Sequence, residues 1–278
     1  MTQKIKFSFI TLFPDLIRHY LSDALLAKAN SKGLLDFEII NLRDFATNKY
    51  KSVDDKPFGG GDGVVFEAEP LKKALSSVSN IENGDQSTII YLSPQGKKMD
   101  QQLVHDLSQK KHIVFVCGRY GGVDQRFIES SVDMEVSIGD YILSGGELAA
   151  LVVTEAVSRL VPGVLGDFNS TTQDSFDSSL SGLLEAPQFT RPEVWNDISV
   201  PSILTSGHHG HIQQWKHSVS VLITLQKRPD LLQANHKKVD WPLIYKFYNE
   251  MSLVDKKTLG IEALGEKIFE QISLSAKK

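Results

Sequence analysis

Residues 113–122 read IVFVCGRYGG, an apolar run that leads directly into a glycine-rich turn. A short apolar run with turn residues at its end is typical of a strand that is buried on both faces. Amphipathic stretches at 101–109 and 123–130 predict one helix before this strand and another after it. We therefore expect a central strand between two helices, with a glycine-rich turn at the strand's carboxyl end.

The alternation of helix and strand continues on both sides of this stretch. Apolar runs predict further strands at 5–12, 37–42, 88–92 and 132–138, and amphipathic stretches predict helices at 15–29, 71–78 and 147–160. Strands that are separated by single helices form a parallel sheet with helices on both faces. The first part of the chain is therefore predicted to be an α/β domain.

The composition of the chain changes after residue 165. Pro162 and Gly163 end the last of these helices, and the stretch 166–182 is rich in Ser, Thr, Asp and Gly, which is typical of a linker or a mobile loop. Beyond Pro201 apolar residues recur at helical spacing, and further helices are predicted near 241–250 and 261–274. We expect an α/β domain at 1–165, a flexible linker at 166–182 and a small all-helical domain at 183–278.

Composition and charge narrow the classes of protein to consider. The chain has 278 residues, 41% of them apolar, so it can bury a sizeable core, and its single cysteine excludes an internal disulfide and a multi-cysteine metal site. We expect a cytoplasmic protein, because no signal peptide opens the chain and no apolar stretch has transmembrane length. Residues 201–278 hold 11 Lys and Arg against 7 Asp and Glu, whereas the rest of the chain is acidic. The basic part could contact phosphates, although uneven solvated charge explains the same distribution.

Two standard nucleotide-binding motifs are missing from the sequence. The glycine cluster at 59–63 follows a polar loop and no first strand, so it does not match a dinucleotide-binding turn. The Gly96-Lys97 pair lacks the earlier glycine and the following Ser or Thr of a phosphate-binding P-loop. These observations argue against a dehydrogenase and against an NTPase.

Three glycine-containing loops are predicted at the carboxyl ends of strands. They span residues 91–96 (YLSPQG), 117–122 (CGRYGG) and 137–147 (SIGDYILSGGE). Ligands of open α/β sheets bind at this edge, where glycines let backbone N–H and C=O groups surround a small polar ligand. Any one of these loops could simply connect a strand to a helix, but the three together favour a ligand pocket.

The three loops resemble those of the bacterial tRNA guanine-N1 methyltransferases of the SPOUT class, the TrmD family. The resemblance extends over nearly the whole chain and includes residues 52–61 (SVDDKPFGGG), 157–166 (VSRLVPGVLG), 174–176 (DSF), 182–185 (GLLE), 190–194 (TRPEV) and 206–207 (SG). Agreement at so many separate places is not a chance event.

This resemblance implies a trefoil-knotted α/β domain that holds S-adenosylmethionine, followed by the helical domain, which binds the anticodon stem-loop of tRNA. It also implies a homodimer in which both subunits contribute to each active site. The reaction implied is methyl transfer from S-adenosylmethionine to N1 of guanosine 37, next to the anticodon. The residues implied to bind the cofactor are Tyr91, Leu92, Ser93, Pro94, Gly118, Tyr120, Ile138, Gly139, Asp140, Tyr141, Ile142, Leu143, Gly145 and Gly146.

Asp174 is the candidate catalytic base. Methylation at N1 of guanine requires loss of the N1 proton, and a carboxylate is too weak a base to remove that proton fully beforehand, so deprotonation should accompany methyl attack. A cation near guanine O6 would stabilise the developing negative charge, and Arg159 is the candidate for that role. Because Asp174 lies in the predicted flexible linker, we expect bound RNA to order this segment. Without the resemblance, an exposed linker carboxylate or a helix N-cap would be the preferred interpretation of Asp174.

Several polar residues are candidates for contact with the RNA. They are Ser175, His209, Lys216, Lys227 and Arg228. A solvated surface is the alternative interpretation for each of these cations. The neighbouring His208, His209 and His211 suggest zinc, but no cysteine or carboxylate trio accompanies them in the sequence, so we expect no metal site there.

The main departure from the family is Gly121, where relatives usually carry a glutamate that is linked to contact with guanine or magnesium. Its absence puts a magnesium-assisted reaction in doubt, or moves that role to Asp124, Glu129 or Asp140. Two smaller departures are Asp62 in place of a usual proline, which could compensate for Gly121, and His208 in place of a common asparagine.

Two rival functions follow from these departures and from the wider class. One is a non-catalytic protein, inactivated at Gly121, that binds tRNA or senses S-adenosylmethionine. The other is a SPOUT methyltransferase that acts on ribose or on rRNA. The presence of Asp174 and Arg159 favours the guanine-N1 enzyme over both.

Overall fold

The structure, a computed structural model, describes residues 4–60, 63–78, 87–165, 174–235 and 239–276. The chain divides into two compact units, residues 1–168 and residues 169–278. Residues 174–182 of the predicted linker belong to the second unit, and residues 166–173 lie outside the described part of the chain.

The first unit is an α/β domain. Its strands are β1 (Ile5–Thr11), β2 (Leu35–Asn41), β3 (Asp54–Asp55), β4 (Val65–Phe66), β5 (Ser87–Lys98), β6 (His112–Val116) and β7 (Met134–Ser137). Its helices are α1 (Pro14–Leu21), α2 (Ala24–Ser31), α3 (Ala68–Ser77), α4 (Gln101–Ser108), α5 (Gln125–Ser131) and α6 (Glu147–Arg159). Among the described residues, five strands form a parallel sheet in the order β2-β1-β6-β5-β7, and β3 pairs with β4 in a separate antiparallel ribbon. The predicted parallel sheet is confirmed.

Helices cover both faces of the sheet because its central strands are apolar on both sides. In β6, Ile113 and Phe115 pack into a core with α1, α2, α4 and α6. The alternate residues Val114 and Val116 pack into a second core with α3 and α5. Successive side chains of a strand point to opposite faces, so an unbroken apolar run supplies both cores.

Two predicted elements have different boundaries in the structure. The helix predicted at 15–29 is two helices, because the chain breaks at Ser22-Asp23 and the Asp23 carboxylate caps α2 by accepting a hydrogen bond from the Ala24 N–H (2.7 Å). The strand predicted at 88–92 continues as β5 to Lys98, with a shift of register against β7 between Leu92 and Lys97. The loop that we expected after this strand is therefore an irregular part of the strand itself.

The second unit has a core of its own. Its helices are α7 (His209–Lys227), α8 (Pro229–Asn235), α9 (Trp241–Glu250), α10 (Leu253–Leu259) and α11 (Gly265–Ala276). The core joins the buried face of α7, which includes Trp215, Val219 and Leu222, to Trp241 of α9 and Ile268 of α11. The helix indicated by the helical spacing of apolar residues beyond Pro201 and the helix predicted near 241–250 are confirmed as α7 and α9, whereas α8 and α10 were not predicted from the sequence.

The second unit also contains a short hairpin that the sequence analysis missed. Strands β8 (Val194–Trp195) and β9 (Ile198–Ser199) pair in antiparallel fashion around Asn196-Asp197. Both turn residues have positive φ, 50° and 60°, a conformation that Asn and Asp tolerate better than most residues. The expectation of an all-helical domain at 183–278 is therefore wrong at this place, and the Asn-Asp pair between apolar residues was the available signal.

Within the described part of the chain, no helix combines the length and the apolar character that crossing a membrane requires.

We expect Phe115→Ala to destabilise the first unit by about 3–5 kcal/mol, because Phe115 is fully buried and its ring packs against Phe7 and Phe9 with centroid distances of 6.2 and 5.4 Å. The measurement is the free energy of unfolding in urea. Phe58→Ala is the matched control, because the Phe58 side chain is fully exposed and its loss should change stability by less than about 0.5 kcal/mol. Equal effects of the two substitutions would contradict the position of Phe115 in the core.

Candidate functional site

A cavity of about 420 Å³ lies beside the carboxyl ends of β6 and β7 and along the irregular part of β5. It is lined by residues from the three loops that were predicted to form a pocket, together with Val136 of β7 and Ala149 of α6. A volume of this size is within the range of about 300–1,000 Å³ that small-molecule sites occupy.

Backbone hydrogen bonds join two of these loops. The Gly146 N–H donates to the Gly118 carbonyl oxygen (2.9 Å), and Arg119 and Gly145 form an isolated antiparallel bridge. A Cβ atom on Gly146 would lie 3.0 Å from the Cα of Cys117, so a larger residue would separate the loops. The backbones therefore approach closely enough for peptide groups to form the cavity wall.

Thirteen of the fourteen residues predicted to bind the cofactor line this cavity, and all fourteen are among the described residues. Asp140 is the one outside the lining. Its exposed carboxylate forms an ion pair with Lys98 (3.3 Å). The structure thus brings together residues that are up to 55 positions apart, Tyr91 and Gly146 being the first and the last.

A buried polar cluster beside the cavity was not predicted. The carboxylate of Glu147, 1% exposed, accepts a hydrogen bond from the Thr11 hydroxyl (2.9 Å) and another from Arg119 Nε–H (3.1 Å). The Arg119 guanidinium also lies over the Phe13 ring, 4.1 Å from its centroid, and Arg119 lines the cavity. A glutamate that begins an otherwise apolar helix was the signal in the sequence, since such a charge is rarely buried without a partner.

Cys117 directly follows the last residue of β6 and is buried next to Gly118, which lines the cavity. Burial raises the pKa of its thiol well above the usual range, and the Glu147 carboxylate raises this pKa further, while Arg119 lowers it. The Cys117 N–H donates to the Ile10 carbonyl oxygen of β1 (3.0 Å). The thiol is therefore a buried structural group with little thiolate character.

Gly121 has a steric explanation in this chain. Its N–H donates to the Val64 carbonyl oxygen (2.8 Å), and a Cβ atom at position 121 would lie 2.9 Å from that oxygen and 3.2 Å from Cγ2 of Val65. A glutamate here would have to displace the segment that precedes β4. Asp62, the residue that could compensate, lies outside the described residues.

The three carboxylates that could replace a glutamate at position 121 are each engaged. Asp124 caps α5 and pairs with the Arg126 guanidinium (2.6 Å), whose hydrogen bond lowers the pKa of Asp124. Glu129 accepts a hydrogen bond from a glutamine one turn earlier (2.8 Å), and Asp140 pairs with Lys98. In the part of the chain that the structure describes, no group of three His, Cys, Asp or Glu side chains is arranged to hold a metal ion.

The two predicted catalytic residues belong to different units. Arg159 is the last residue of α6 in the first unit and is exposed. Asp174 is half-buried in the second unit, and its carbonyl oxygen accepts a hydrogen bond from the Asp177 N–H (3.2 Å).

Asp174 begins a segment, residues 174–186, that we call the anchored segment. The Phe176 N–H donates to the Leu183 carbonyl oxygen (2.8 Å), and the Glu185 N–H donates to the Ser175 hydroxyl (3.0 Å). Residues 174–182, predicted as flexible linker, thus have a defined hydrogen-bonded conformation. Ser175, predicted to contact RNA, here accepts a hydrogen bond from the protein backbone.

The other predicted RNA contacts are distributed along α7. His209 is its first residue, and both His209 and Lys216 line a second cavity within the second unit. Lys227 is the last residue of α7, and the Arg228 that follows pairs with Asp230 (2.6 Å). His208 and His211 have their ring centroids 5.6 Å apart.

Comparison with known proteins identifies one family. The model of the family described as tRNA (Guanine-1)-methyltransferase TrmD matches residues 5–234. A relative from Shewanella woodyi is 47% identical over 224 residues, which are 81% of this chain and 89% of the relative. Relatives from Staphylococcus epidermidis and Carboxydothermus hydrogenoformans are 44% identical over 229 residues and 43% identical over 251 residues. These two alignments cover 82% and 90% of this chain, and 91% and 96% of the relatives. All three relatives are named tRNA (guanine-N(1)-)-methyltransferase.

We expect the Cys117 thiol of the folded protein to react with a disulfide reagent such as DTNB at about pH 8 at least about a hundredfold more slowly than in concentrated urea, because its raised pKa and its burial suppress the thiolate. Cys117 is the only cysteine of the chain, so the absorbance change reports this site alone. Stoichiometric labelling of the native protein at the unfolded rate would contradict the closed packing below the cavity.

Proposed function

We propose, because the chain belongs to the tRNA (guanine-1)-methyltransferase family TrmD, that it transfers a methyl group from S-adenosylmethionine to N1 of a guanosine in tRNA. The observation that carries this proposal is the family match itself, which spans residues of both units. The relatives bear the name of the enzyme, so the comparisons give no support to a non-catalytic function for this chain.

The cavity of the first unit suits S-adenosylmethionine. Glycine backbone at Gly118 and Gly145-Gly146 offers peptide N–H and C=O groups to a polar ligand, and the rings of Tyr91 and Tyr141 provide apolar surface. When bound, the cofactor supplies an electrophilic methyl group on a positively charged sulfur. The work left to the protein is to align that methyl group with the guanine and to accept the N1 proton.

The fold proposed for this domain is a trefoil knot, followed by a helical tRNA-binding domain. The knot is supported by the close approach of two of the loops, where the Gly146 N–H donates to the Gly118 carbonyl oxygen and Arg119 forms a bridge with Gly145. The helical domain is supported by helices α7–α11, which share one core.

Asp174 is proposed as the base that accepts the N1 proton while the methyl group is transferred. A carboxylate acts here only in concert with bond formation, because it is too weak to deprotonate guanine in advance. Arg159 is proposed to stabilise the negative charge that develops at guanine O6. The hydrogen-bonded turn from Asp174 to Asp177 supports the first role, since it fixes the backbone that carries the carboxylate.

The substrate proposed is guanosine 37 beside the anticodon. Contacts with the anticodon stem-loop are assigned to Ser175, His209, Lys216, Lys227 and Arg228. His209 and Lys216, two residues of α7 that line a cavity, support an RNA-binding role for this helix, since imidazole and ammonium groups both donate hydrogen bonds to phosphate.

A homodimer is proposed, and an apolar surface of the first unit supports it. Leu148 and Val152, one turn apart on α6, are 53% and 46% exposed. Helix α1 packs against α6 and exposes Leu16 and Tyr20 at the same spacing. Exposed apolar side chains on two packed helices are typical of a protein interface.

We expect Asp174→Asn to reduce kcat for methyl transfer to a tRNA transcript by at least about 100-fold, because the isosteric amide cannot accept the proton. The assay measures labelled methyl groups from S-adenosylmethionine in tRNA. Asp177→Asn is the matched control in the same segment, since an amide oxygen can still accept the hydrogen bond that caps residues 178–180. Full activity of Asp174→Asn would overturn the base assignment, and methylation of a transcript that lacks guanosine 37 would overturn the substrate assignment.

We expect Val152→Asp to convert the dimer to a monomer, because it places a charge in the proposed apolar interface. The measurement is the molar mass from analytical ultracentrifugation. Val254→Asp is the control, because Val254 is 64% exposed on α10 of the second unit, outside the proposed interface. A monomeric unmodified protein would reject the dimer.

A further inference from the structure

The side chain of Tyr91 ends inside the turn that follows β6. Tyr91 is a residue of β5, it is 7% exposed, and it lines the cofactor cavity. A Cβ atom built on Gly118 would lie 3.0 Å from Tyr91 Oη, and one built on Gly122 would lie at the same distance from it. The hydroxyl is therefore enclosed by the first and the last glycine of residues 118–122, which we call the glycine turn.

The backbone of the glycine turn has an unusual conformation. The Gly122 N–H donates to the Arg119 carbonyl oxygen (2.9 Å), and Gly122 has a φ of 101°, which side chains rarely allow. Tyr120, at the tip, also has a positive φ, 56°. Residues in sparsely populated conformations persist only where the surrounding structure holds them. The glycine turn therefore depends on contacts from outside it.

The Tyr91 hydroxyl is a polar group placed to make such a contact. Burial and then the carboxylate of Glu135, its partner in the pairing of β5 with β7, raise the pKa of Tyr91, whereas hydrogen bonding from the Val123 backbone lowers it. The hydroxyl thus keeps its proton, and its oxygen accepts from the peptide group that follows the turn. Because Val123 is buried, removal of the hydroxyl would leave this N–H without its acceptor.

The glycine turn forms one wall of the cofactor cavity, since all of residues 118–122 line it. The Gly118 carbonyl oxygen accepts the hydrogen bond from the Gly146 N–H, so a displacement of the turn would disturb the neighbouring loop as well. The shape of two of the three cavity loops is thereby linked to the place where the Tyr91 side chain ends.

We propose that Tyr91 is a positioning residue, whose hydroxyl, set between Gly118 and Gly122, holds the glycine turn in the conformation that completes the cavity wall before the cofactor binds. The proposal rests on the proposed function, which supplies S-adenosylmethionine as the ligand. A wall that is already ordered reduces the conformational entropy that is lost on binding. The hydroxyl therefore acts on cofactor affinity through the turn and takes no part in methyl transfer.

The first experiment uses the ligand-free full chain. Tyr91→Phe keeps the ring and removes the oxygen, and we expect amides of the glycine turn to exchange with deuterium at least about tenfold faster in this variant, measured by mass spectrometry. Tyr248→Phe is the matched control, because Tyr248 is 5% exposed and its hydroxyl donates to the Ile261 carbonyl oxygen (3.1 Å) in the second unit. Unchanged exchange of the turn in Tyr91→Phe, or an equal increase in Tyr248→Phe, would overturn the proposal.

The second experiment measures cofactor affinity and turnover separately. We expect Tyr91→Phe to weaken S-adenosylmethionine binding about tenfold in isothermal titration without tRNA, and to raise KM for the cofactor by a similar factor. We expect kcat and KM for tRNA to change less than about twofold. A tenfold fall in kcat at unchanged cofactor affinity would place the hydroxyl in the reaction itself and reject the positioning role. Weaker binding without faster exchange of the turn would identify a direct ligand of the cofactor and reject it equally.

A double-mutant cycle tests the contact between the hydroxyl and the turn. Among the described residues, and apart from the chain neighbours of Gly122, Tyr91 Oη is the one heavy atom within 4 Å of a Cβ atom at position 122. Gly122→Ala therefore strains the turn through its positive φ and through this contact, and Tyr91→Phe relieves the contact alone. We expect the loss of cofactor affinity caused by Gly122→Ala to be at least about threefold smaller in the Tyr91→Phe background. Equal losses in both backgrounds would overturn the contact.

Failure of the proposed function gives a separate result. A wild-type chain that binds no S-adenosylmethionine would reject the proposed function. The exchange experiment requires no ligand, so it would still decide whether the Tyr91 hydroxyl holds the glycine turn.

Discussion

The first unit depends on the burial of one carboxylate. Glu147 begins α6, where the helix dipole favours negative charge, and its oxygens accept hydrogen bonds from Thr11 at the end of β1 and from Arg119 in the loop after β6. A buried charge is tolerated only when such partners are complete, since loss of Arg119 would leave the charge uncompensated and loss of Thr11 would leave a buried acceptor without its hydrogen bond. The position of α6 against the sheet and the position of the cavity loops are therefore set by the same side chain.

The layout of the sheet could be predicted from the sequence because a strand that is buried on both faces is apolar at every position. The run from Ile113 to Val116 reads as apolar at every position, and the structure divides those residues between two cores. The break at Ser22-Asp23 and the continuation of β5 to Lys98 were not accessible in the same way. In the first case the Asp23 cap divides a stretch whose apolar residues have continuous helical spacing. In the second, pairing with β7 extends the strand through residues that are typical of a turn.

The candidate site, too, could be predicted only in part from the sequence. Glycines near strand ends indicated the cavity, because close backbone approach demands residues without a Cβ atom. The hydrogen bonds of Glu147 with Arg119 and Thr11 could not be predicted, since the three residues are far apart in the chain and come together only in the folded protein. The anchored segment was misjudged for a related reason. Its Ser, Asp and Gly content is typical of a loose linker, but the hydrogen bonds of Leu184 to Ser220 and Thr224 come from a helix that begins more than twenty residues later.

The apolar character of strand β6 affects which mutations the protein tolerates. Because both of its faces are apolar, a slip of one residue would still bury apolar side chains, so hydrophobicity alone does not hold the strand in place. Polar contacts at its two ends do so: His112 forms hydrogen bonds with Ser8 and Ser87 at the start, and the loop that follows adds the bonds of Cys117 to Ile10 and of Gly121 to Val64. Exchanges among Val, Ile, Leu and Phe along the strand then change mainly the packed volume, whereas a single inserted or deleted codon in the loop would displace the backbone groups that form these bonds.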